Sequence, residues 1–111
     1  MQLKIQKLDR RMTGHRWYKY RVEFPISAFR DSIPSDISVY QLRTQTFTEL
    51  MYHLTRNIGF GPYVDYSGFS HDPKWAFRIA DHNHLDTVYL TEEAKLEYER
   101  FMTFIKIKYS G

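Results

Sequence analysis

The chain of 111 residues contains no cysteine. Disulfide bonds, thiolate metal sites and cysteine nucleophiles are therefore excluded, and an intracellular location is favoured over secretion because structural disulfides belong to oxidising compartments. The sequence also lacks a serine elbow, a glycine-rich phosphate loop and a credible carboxylate pair, which argues against an enzyme. No apolar run approaches a signal peptide or a membrane span. We expect a soluble, cytoplasmic protein without a cofactor.

Charge is nearly balanced, whereas aromatic residues are abundant. The formal net charge of +3 gives only a weak bias toward nucleic acid or an acidic partner. Tyrosine, phenylalanine and tryptophan make up 17% of the chain, which is more than one small core can bury. Some of them must reach the surface, as is typical of interfaces.

The hydrophobic pattern predicts one α+β domain that spans residues 1–111. We expect a two-layer sandwich in which a mainly antiparallel sheet of four to five strands carries two main helices on one face. The predicted order of elements is β-β-α-β-β-β-α. A chain of this length can bury enough surface for a single core.

Two predicted strands define the two faces of the sheet, because successive strand residues point to opposite sides. The core-facing set of the early strand is Tyr18, Tyr20, Val22 and Phe24, and its solvent-facing set is Trp17, Lys19, Arg21 and Glu23. In the later strand Trp75, Phe77 and Ile79 are predicted to face the core, and Lys74, Ala76 and Arg78 to face solvent.

The first main helix is predicted to run from Ser38 to Ile58. Ser38 followed three residues later by Gln41 forms a capping box. Gly59 suits a left-handed position at the end of the helix, with Phe60 folded back onto the last turns.

The second main helix is predicted to begin at Thr91, which is a good N-cap followed by two acids. On a helical wheel its apolar residues share one broad side, and only Leu96 lies outside it. The predicted buried residues are Ala94, Tyr98, Phe101, Met102, Phe104 and Ile105.

The best candidate binding site is the solvent-facing side of the sheet. Its predicted members are Trp17, Lys19, Arg21, Lys74 and Arg78. Aromatic rings interleaved with cations can anchor a protein partner through tryptophan and arginine, or can stack bases and contact phosphates. Added salt should weaken nucleic-acid binding steeply and a tryptophan-centred protein interface only little.

Histidines suggest a further alternative, a metal-dependent or phosphoesterase-type enzyme. His82 and His84, with Asp86, have the residue types and spacing of metal ligands on a strand. A polar hairpin tip explains the same residues without a metal. The segments that begin at His53 and at His84 also resemble the paired His-x-Thr signatures of two-histidine phosphoesterases, although His53 falls within the first predicted helix.

The segment from Gly59 to Tyr66 resembles the aromatic signature of RNA-recognition motifs. It departs from that signature by an inserted Pro62 and by Ile58 where a cation is expected. We favour the interpretation that a helix end runs into a tyrosine-rich strand.

Three stretches resemble small single-domain proteins encoded by large tailed bacteriophages: HRWYKYRVEF, the helix end NIGFG and the late FRIADHNHLDTVYL. Such proteins carry an early Tyr-Arg-Val strand and a late Asp-Ala-Val-x-Phe element, to which Asp86 to Leu90 correspond. The resemblance implies a phage origin and no catalytic residue. It favours a non-enzymatic accessory protein that binds a host or virion protein, with the nucleic-acid binder and the enzyme as alternatives.

Overall fold

The computed structural model describes residues 3–9, 17–32, 38–63, 74–79 and 86–108. In these ranges one antiparallel sheet of four strands packs against two long helices, so the predicted α+β class is confirmed. The strands are β1 (Ile5–Lys7), β2 (Tyr20–Glu23), β3 (Trp75–Arg78) and β4 (Thr87–Leu90). The helices are α1 (Val39–Ile58), α2 (Glu92–Lys108) and a short 3-10 helix (Ile26–Ser32).

The strands lie in the order β1-β2-β4-β3, with every neighbouring pair antiparallel. One register row crosses the whole sheet through Ile5, Val22, Val88 and Phe77. All four residues of β4 are buried, and this strand has a neighbour on each side. Val88 and Leu90 pack in the core under the helices, whereas Tyr89 packs in a second cluster on the other face. The predicted hairpin of the later strands is therefore the pair β3 and β4.

The core lies between the sheet and the helices. From the sheet side it contains Val22, Phe24, Trp75, Val88 and Leu90. From the helices it contains Leu42, Phe47, Leu50, Leu54, Ala94, Tyr98, Phe101, Met102 and Ile105. Both apolar helix stripes thus face the same side of the sheet, which is the arrangement that buries them together.

Both long helices begin where their caps predict. The Ser38 hydroxyl accepts a hydrogen bond from the Gln41 amide at 3.1 Å. The Thr91 hydroxyl accepts from the Ala94 amide at 3.4 Å and donates to the Lys74 carbonyl at 2.7 Å. Each cap satisfies an amide that the helix cannot, and Thr91 also ties α2 to the start of β3.

Helix α1 ends at Ile58, as predicted, but the conformation of Gly59 differs from the prediction. Its φ of 106° and ψ of −172° lie outside the left-handed helical region, in a region that only glycine adopts readily. The chain consequently leaves the helix in an extended direction. Phe60 is exposed, and the prediction that it folds back onto the helix is wrong.

The chain that follows α1 encloses the indole ring of Trp75. The indole Nε1 donates a hydrogen bond to the Gly59 carbonyl oxygen at 2.9 Å. Gly61 is buried, and a Cβ at this position would overlap the Trp75 ring. Tyr63 then forms an isolated parallel bridge with Phe77. Packing against Trp75 therefore explains the glycine at position 61. Residues 64–66 of the RNA-recognition-like segment lie outside the described ranges.

Tyr18 lies on the opposite side of the sheet from the predicted one. The Lys19 amide donates to the Leu90 carbonyl at 2.9 Å, although Tyr20 is already the register partner of Leu90. Lys19 and Tyr20 therefore both lie opposite Leu90, as in a β-bulge. The extra residue shifts the alternation of side chains between the two faces of the sheet for the residues before it. Tyr20 packs toward the helices, whereas Tyr18 is buried in a separate cluster.

Two predicted core residues are exposed. Ile79 follows Arg78, the last residue of β3 that pairs with β4, so no neighbouring strand fixes it toward the core. Phe104 lies roughly 100° around α2 from the centre of its buried stripe, and together with residues of α1 it lines a pocket. Leu96 is exposed, as predicted.

Within the described ranges, neither long helix has the length and hydropathy that crossing a membrane would require.

Candidate binding surface

The outer face is the side of the sheet that points away from α1 and α2. Its residues follow from the register, because each lies one position away from a core residue. One row contains Gln6, Arg21, Tyr89 and Ala76, and the next contains Glu23, Thr87 and Arg78. The structure thus places two of the five predicted binding residues, Arg21 and Arg78, in the strands of this face.

The centre of the outer face is a second small core. Tyr18, Ala76 and Tyr89 are at most 3% exposed and form a buried cluster, against which Leu8 packs. The ring centroids of Tyr18 and Tyr89 lie 6.0 Å apart with an interplanar angle of 40°. Sequence analysis missed Tyr89, although its position between Val88 and Leu90 indicates the outer side. Neither buried tyrosine ring can offer a free face to a base.

Charged groups of both signs lie near Tyr89. Burial raises the pKa of Tyr89, and the nearby guanidinium groups of Arg78 and Arg21 lower that pKa, but only in part. The carboxylate of Glu23 acts in the same direction as burial. Tyr89 is therefore a neutral hydroxyl at physiological pH, set among charged groups of both signs.

Arg21 is held in place by two side chains of the same face. Its Nε donates to the Gln6 side-chain oxygen at 2.7 Å, and its terminal nitrogen lies 3.3 Å from a Glu23 oxygen. These contacts fix the guanidinium plane, so little conformational entropy remains to be lost when a partner binds.

Trp17 and Lys19 lie on the segment that enters β2. Trp17 is 40% exposed, and Lys19 is also exposed. They precede Arg21 on the same segment, so an exposed ring and two cations follow one another along the chain that enters β2. A partly exposed indole next to arginine has the composition of interface anchors.

Lys74, the remaining predicted binding residue, is engaged elsewhere. Its ammonium nitrogen lies 3.1 Å from a carboxylate oxygen of Glu93 in the first turn of α2. The side chain therefore reaches toward the helix layer, and the structure does not bring it together with Arg21 and Arg78.

Asp86, one of the predicted metal ligands, pairs with an arginine. Its carboxylate lies 3.2 Å from the guanidinium group of Arg43, and its main-chain carbonyl accepts from the Phe24 amide at 2.9 Å. His82 and His84 lie outside the described ranges. In those ranges no group of three or more His, Asp or Glu side chains could hold a metal ion. The described contacts of Asp86 join α1 to the sheet.

His53 lies within α1, as predicted, and its ring nitrogens both have partners. The amide nitrogen of Asn57 donates to the His53 carbonyl oxygen at 2.7 Å and lies 3.4 Å from Nδ1. Because a carboxylate oxygen only accepts, the His53 Nε2 donates to Glu97 at 3.0 Å. The ring thus links the two helices, and His84 of the phosphoesterase-like pair is outside the described ranges.

No protein-family model matches this sequence, and no curated protein or solved structure matches it either. A function must therefore be argued from the residues and surfaces of this chain. Among the described residues near the sheet, the exposed Trp17 and Lys19 and the partly buried Arg21 combine an aromatic ring with two cations on one short segment.

Proposed function

We propose that the protein is a non-enzymatic binding protein that contacts a protein partner through the outer face and the segment leading into β2. The observation that carries this proposal is the exposure of Trp17, which at 40% contrasts with 1% for Trp75. An indole beside Lys19 and a fixed Arg21 can bury a large area and form charge-assisted hydrogen bonds at the same time. Tryptophan and arginine are the residues on which binding energy concentrates in interfaces.

The chemistry of the outer face favours a protein over a nucleic acid. Base stacking needs exposed rings, but Tyr18 and Tyr89 are buried. Arg21 is already paired with Glu23, and that carboxylate would repel phosphate groups. A mixed surface of both charge signs around one exposed aromatic is typical of protein interfaces.

The resemblance to phage-encoded proteins supports a host or virion protein as the partner. The absence of cysteine supports an encounter in a reducing compartment, the host cytoplasm. A small accessory protein of this kind would act by occupying a surface of its partner.

The test is capture of a partner from the lysate of the natural host, with and without nuclease and at two salt concentrations. The parent protein is compared with a variant that combines Trp17→Ala and Arg21→Ala. We expect this variant to lose capture while its melting temperature stays close to that of the parent. Leu96→Ala is the matched control, because Leu96 is an exposed apolar residue on α2, in the helix layer.

Two results would contradict the proposal. Capture that persists in the double variant would place the contact elsewhere. Capture that disappears after nuclease treatment, or that falls steeply with added salt, would indicate a nucleic-acid partner instead.

A further inference from the structure

A pocket lies between α1 and α2, at a place that the outer face does not include. Its volume is about 440 Å³, within the range of pockets that hold small organic groups. The residues that line it, here called the helix pocket, are Glu49, Tyr52, His53, Arg56, Phe101 and Phe104. No prediction from the sequence anticipated it, because Phe104 was assigned to the core.

The walls of the helix pocket are aromatic. Tyr52 of α1 is 65% exposed and Phe104 of α2 is 63% exposed, so each helix contributes one large ring that the fold leaves uncovered. Phe101 is buried beneath them, with its ring centroid 5.7 Å from that of His53. Two open rings above an aromatic floor are suited to a flat apolar group.

The polar groups of the pocket differ in availability. His53 is occupied by its contacts with Glu97 and Asn57, as described above. Arg56, one helical turn after Tyr52, has no side-chain acceptor among the residues that the structure describes. Its position in the last turn of α1 favours a cation there. The guanidinium group can therefore receive an anion at the pocket.

Glu49 limits the charge that the pocket can accept. It lies seven residues before Arg56, which is roughly 10 Å along the helix axis. An anionic group at Arg56 is thus attracted, whereas a second anionic group at the other end would meet a carboxylate. The pocket consequently favours a ligand with one anionic group over a dicarboxylate.

We infer that the helix pocket binds an aromatic ring that carries one carboxylate, with the ring between Tyr52 and Phe104 and the carboxylate at Arg56. Such a group is supplied by a free arylalkanoic acid or by a peptide that ends in phenylalanine. This inference is independent of the proposed function, which uses the outer face of the sheet. The protein would then have two binding surfaces on different sides of its fold.

The test uses 3-phenylpropionate as the probe, titrated into labelled protein and followed by amide chemical shifts. For a ligand of this size we expect millimolar affinity, with shifts concentrated in the second half of α1 and around Phe104. Arg56→Gln should weaken binding about tenfold, since it removes a charge-assisted hydrogen bond. Arg30→Gln is the matched control, because it removes the same charge from an exposed position that does not line the pocket.

Further comparisons distinguish the contribution of the ligand's ring to binding from the contribution of its charge. The neutral 3-phenylpropionamide should bind more weakly than the acid, and Phe104→Ala should abolish the shifts whereas Tyr52→Phe retains them. Acid and amide binding equally, no shifts in the pocket, or equal effects of the two arginine variants would overturn the inference.

The same titration identifies the source of the ligand. Acetyl-Gly-Gly-Phe with a free carboxylate is compared with 3-phenylpropionate and with its own C-terminal amide. Tighter binding of the acidic tripeptide supports a peptide terminus, and tighter binding of the small acid supports a free metabolite. Either result requires the carboxylate, so equal binding of the tripeptide and its amide would also overturn the inference.

Discussion

The carboxylate of Asp86 and the guanidinium group of Arg43 lie 3.2 Å apart and join α1 to the residue before β4. Their side chains are only 11% and 20% exposed, so little water reaches either charge and each stabilises the other. We expect Asp86→Asn or Arg43→Met to lower the free energy of unfolding by roughly 1–3 kcal/mol, less than for a fully buried pair. Urea denaturation of both variants measures the loss.

A double-mutant cycle decides whether the two residues act on each other. The combined variant should lose less stability than the sum of the single variants, because no unpaired charge remains. Lys74→Met serves as the control, since its pair with Glu93 is half exposed and should contribute at most about 1 kcal/mol. Additive losses for Arg43 and Asp86 would refute the coupling.

Gly61 is required by the ring of Trp75. We expect Gly61→Ala to destabilise the protein by about 1–3 kcal/mol, because its new methyl group must displace that ring. The loss should become smaller in a Trp75→Phe background, where the ring is smaller. Denaturant unfolding of the four combinations measures this relief.

Gly59→Ala is the companion variant, because no atom of the described residues lies within 4 Å of a Cβ at Gly59. Its cost, of order 1–3 kcal/mol, comes from the positive φ alone. It should therefore not change in the Trp75→Phe background. Equal responses of the two glycine variants to Trp75→Phe would show that ring overlap is not the cause at Gly61.

Stability should fall at high pH because two buried tyrosines resist ionisation. Burial raises the pKa of Tyr18 and the pKa of Tyr98 to about 12, from 10.0 in the unfolded chain. Below pH 10 both hydroxyls are neutral in the folded and in the unfolded state. In that range their ionisation does not reduce the free energy of unfolding. Between about pH 10 and 12 the unfolded chain ionises first, and stability is lost as pH rises.

The measurement is denaturant unfolding across that pH range for the parent, Tyr98→Phe and Tyr18→Phe. Each variant removes one ionising hydroxyl and should show a shallower loss. Absorbance of tyrosinate, recorded on the folded protein, should show the late titration directly. A Tyr98→Phe profile parallel to that of the parent would contradict the assignment.

Residues of the outer face should differ sharply in their effect on stability. Tyr89→Ala opens a cavity beneath Tyr18 and should cost about 3–5 kcal/mol. Trp17→Ala removes a partly exposed ring and should cost about 1 kcal/mol or less. Thermal unfolding of both variants measures the contrast, and a larger loss for Trp17→Ala would mean that its ring is structural.

Local signals predicted the helices well, because their caps are encoded by adjacent residues. Ser38 and Thr91 each accept an amide hydrogen bond near the start of the helix that they precede. The stripe of α2 was also readable from spacing, except at its edge. Phe104 lies at that edge, where burial depends on the distance between α2 and α1. That distance cannot be inferred from the sequence of α2.

Features that join distant segments could not be predicted. The side on which Tyr18 lies depends on the Lys19 amide reaching Leu90, a residue of another strand. The fit of Gly61 to Trp75 and the helix pocket likewise combine elements far apart in sequence. Lys74 was predicted to lie with the other binding residues, but its side chain pairs with Glu93 of α2. The alternation of residues along a strand gives no information about such a contact.

The position of β4 in the middle of the sheet sets when the protein can fold during synthesis. Strands β2 and β3 have no pairing with each other, and both wait for residues 87–90 to emerge from the ribosome. Until then the short β1 is the one described strand that can pair with β2, and an isolated two-stranded ribbon is marginal in water. Assembly of the sheet is therefore a late event, and a nascent chain stalled before Thr87 would be a target for chaperones and proteases.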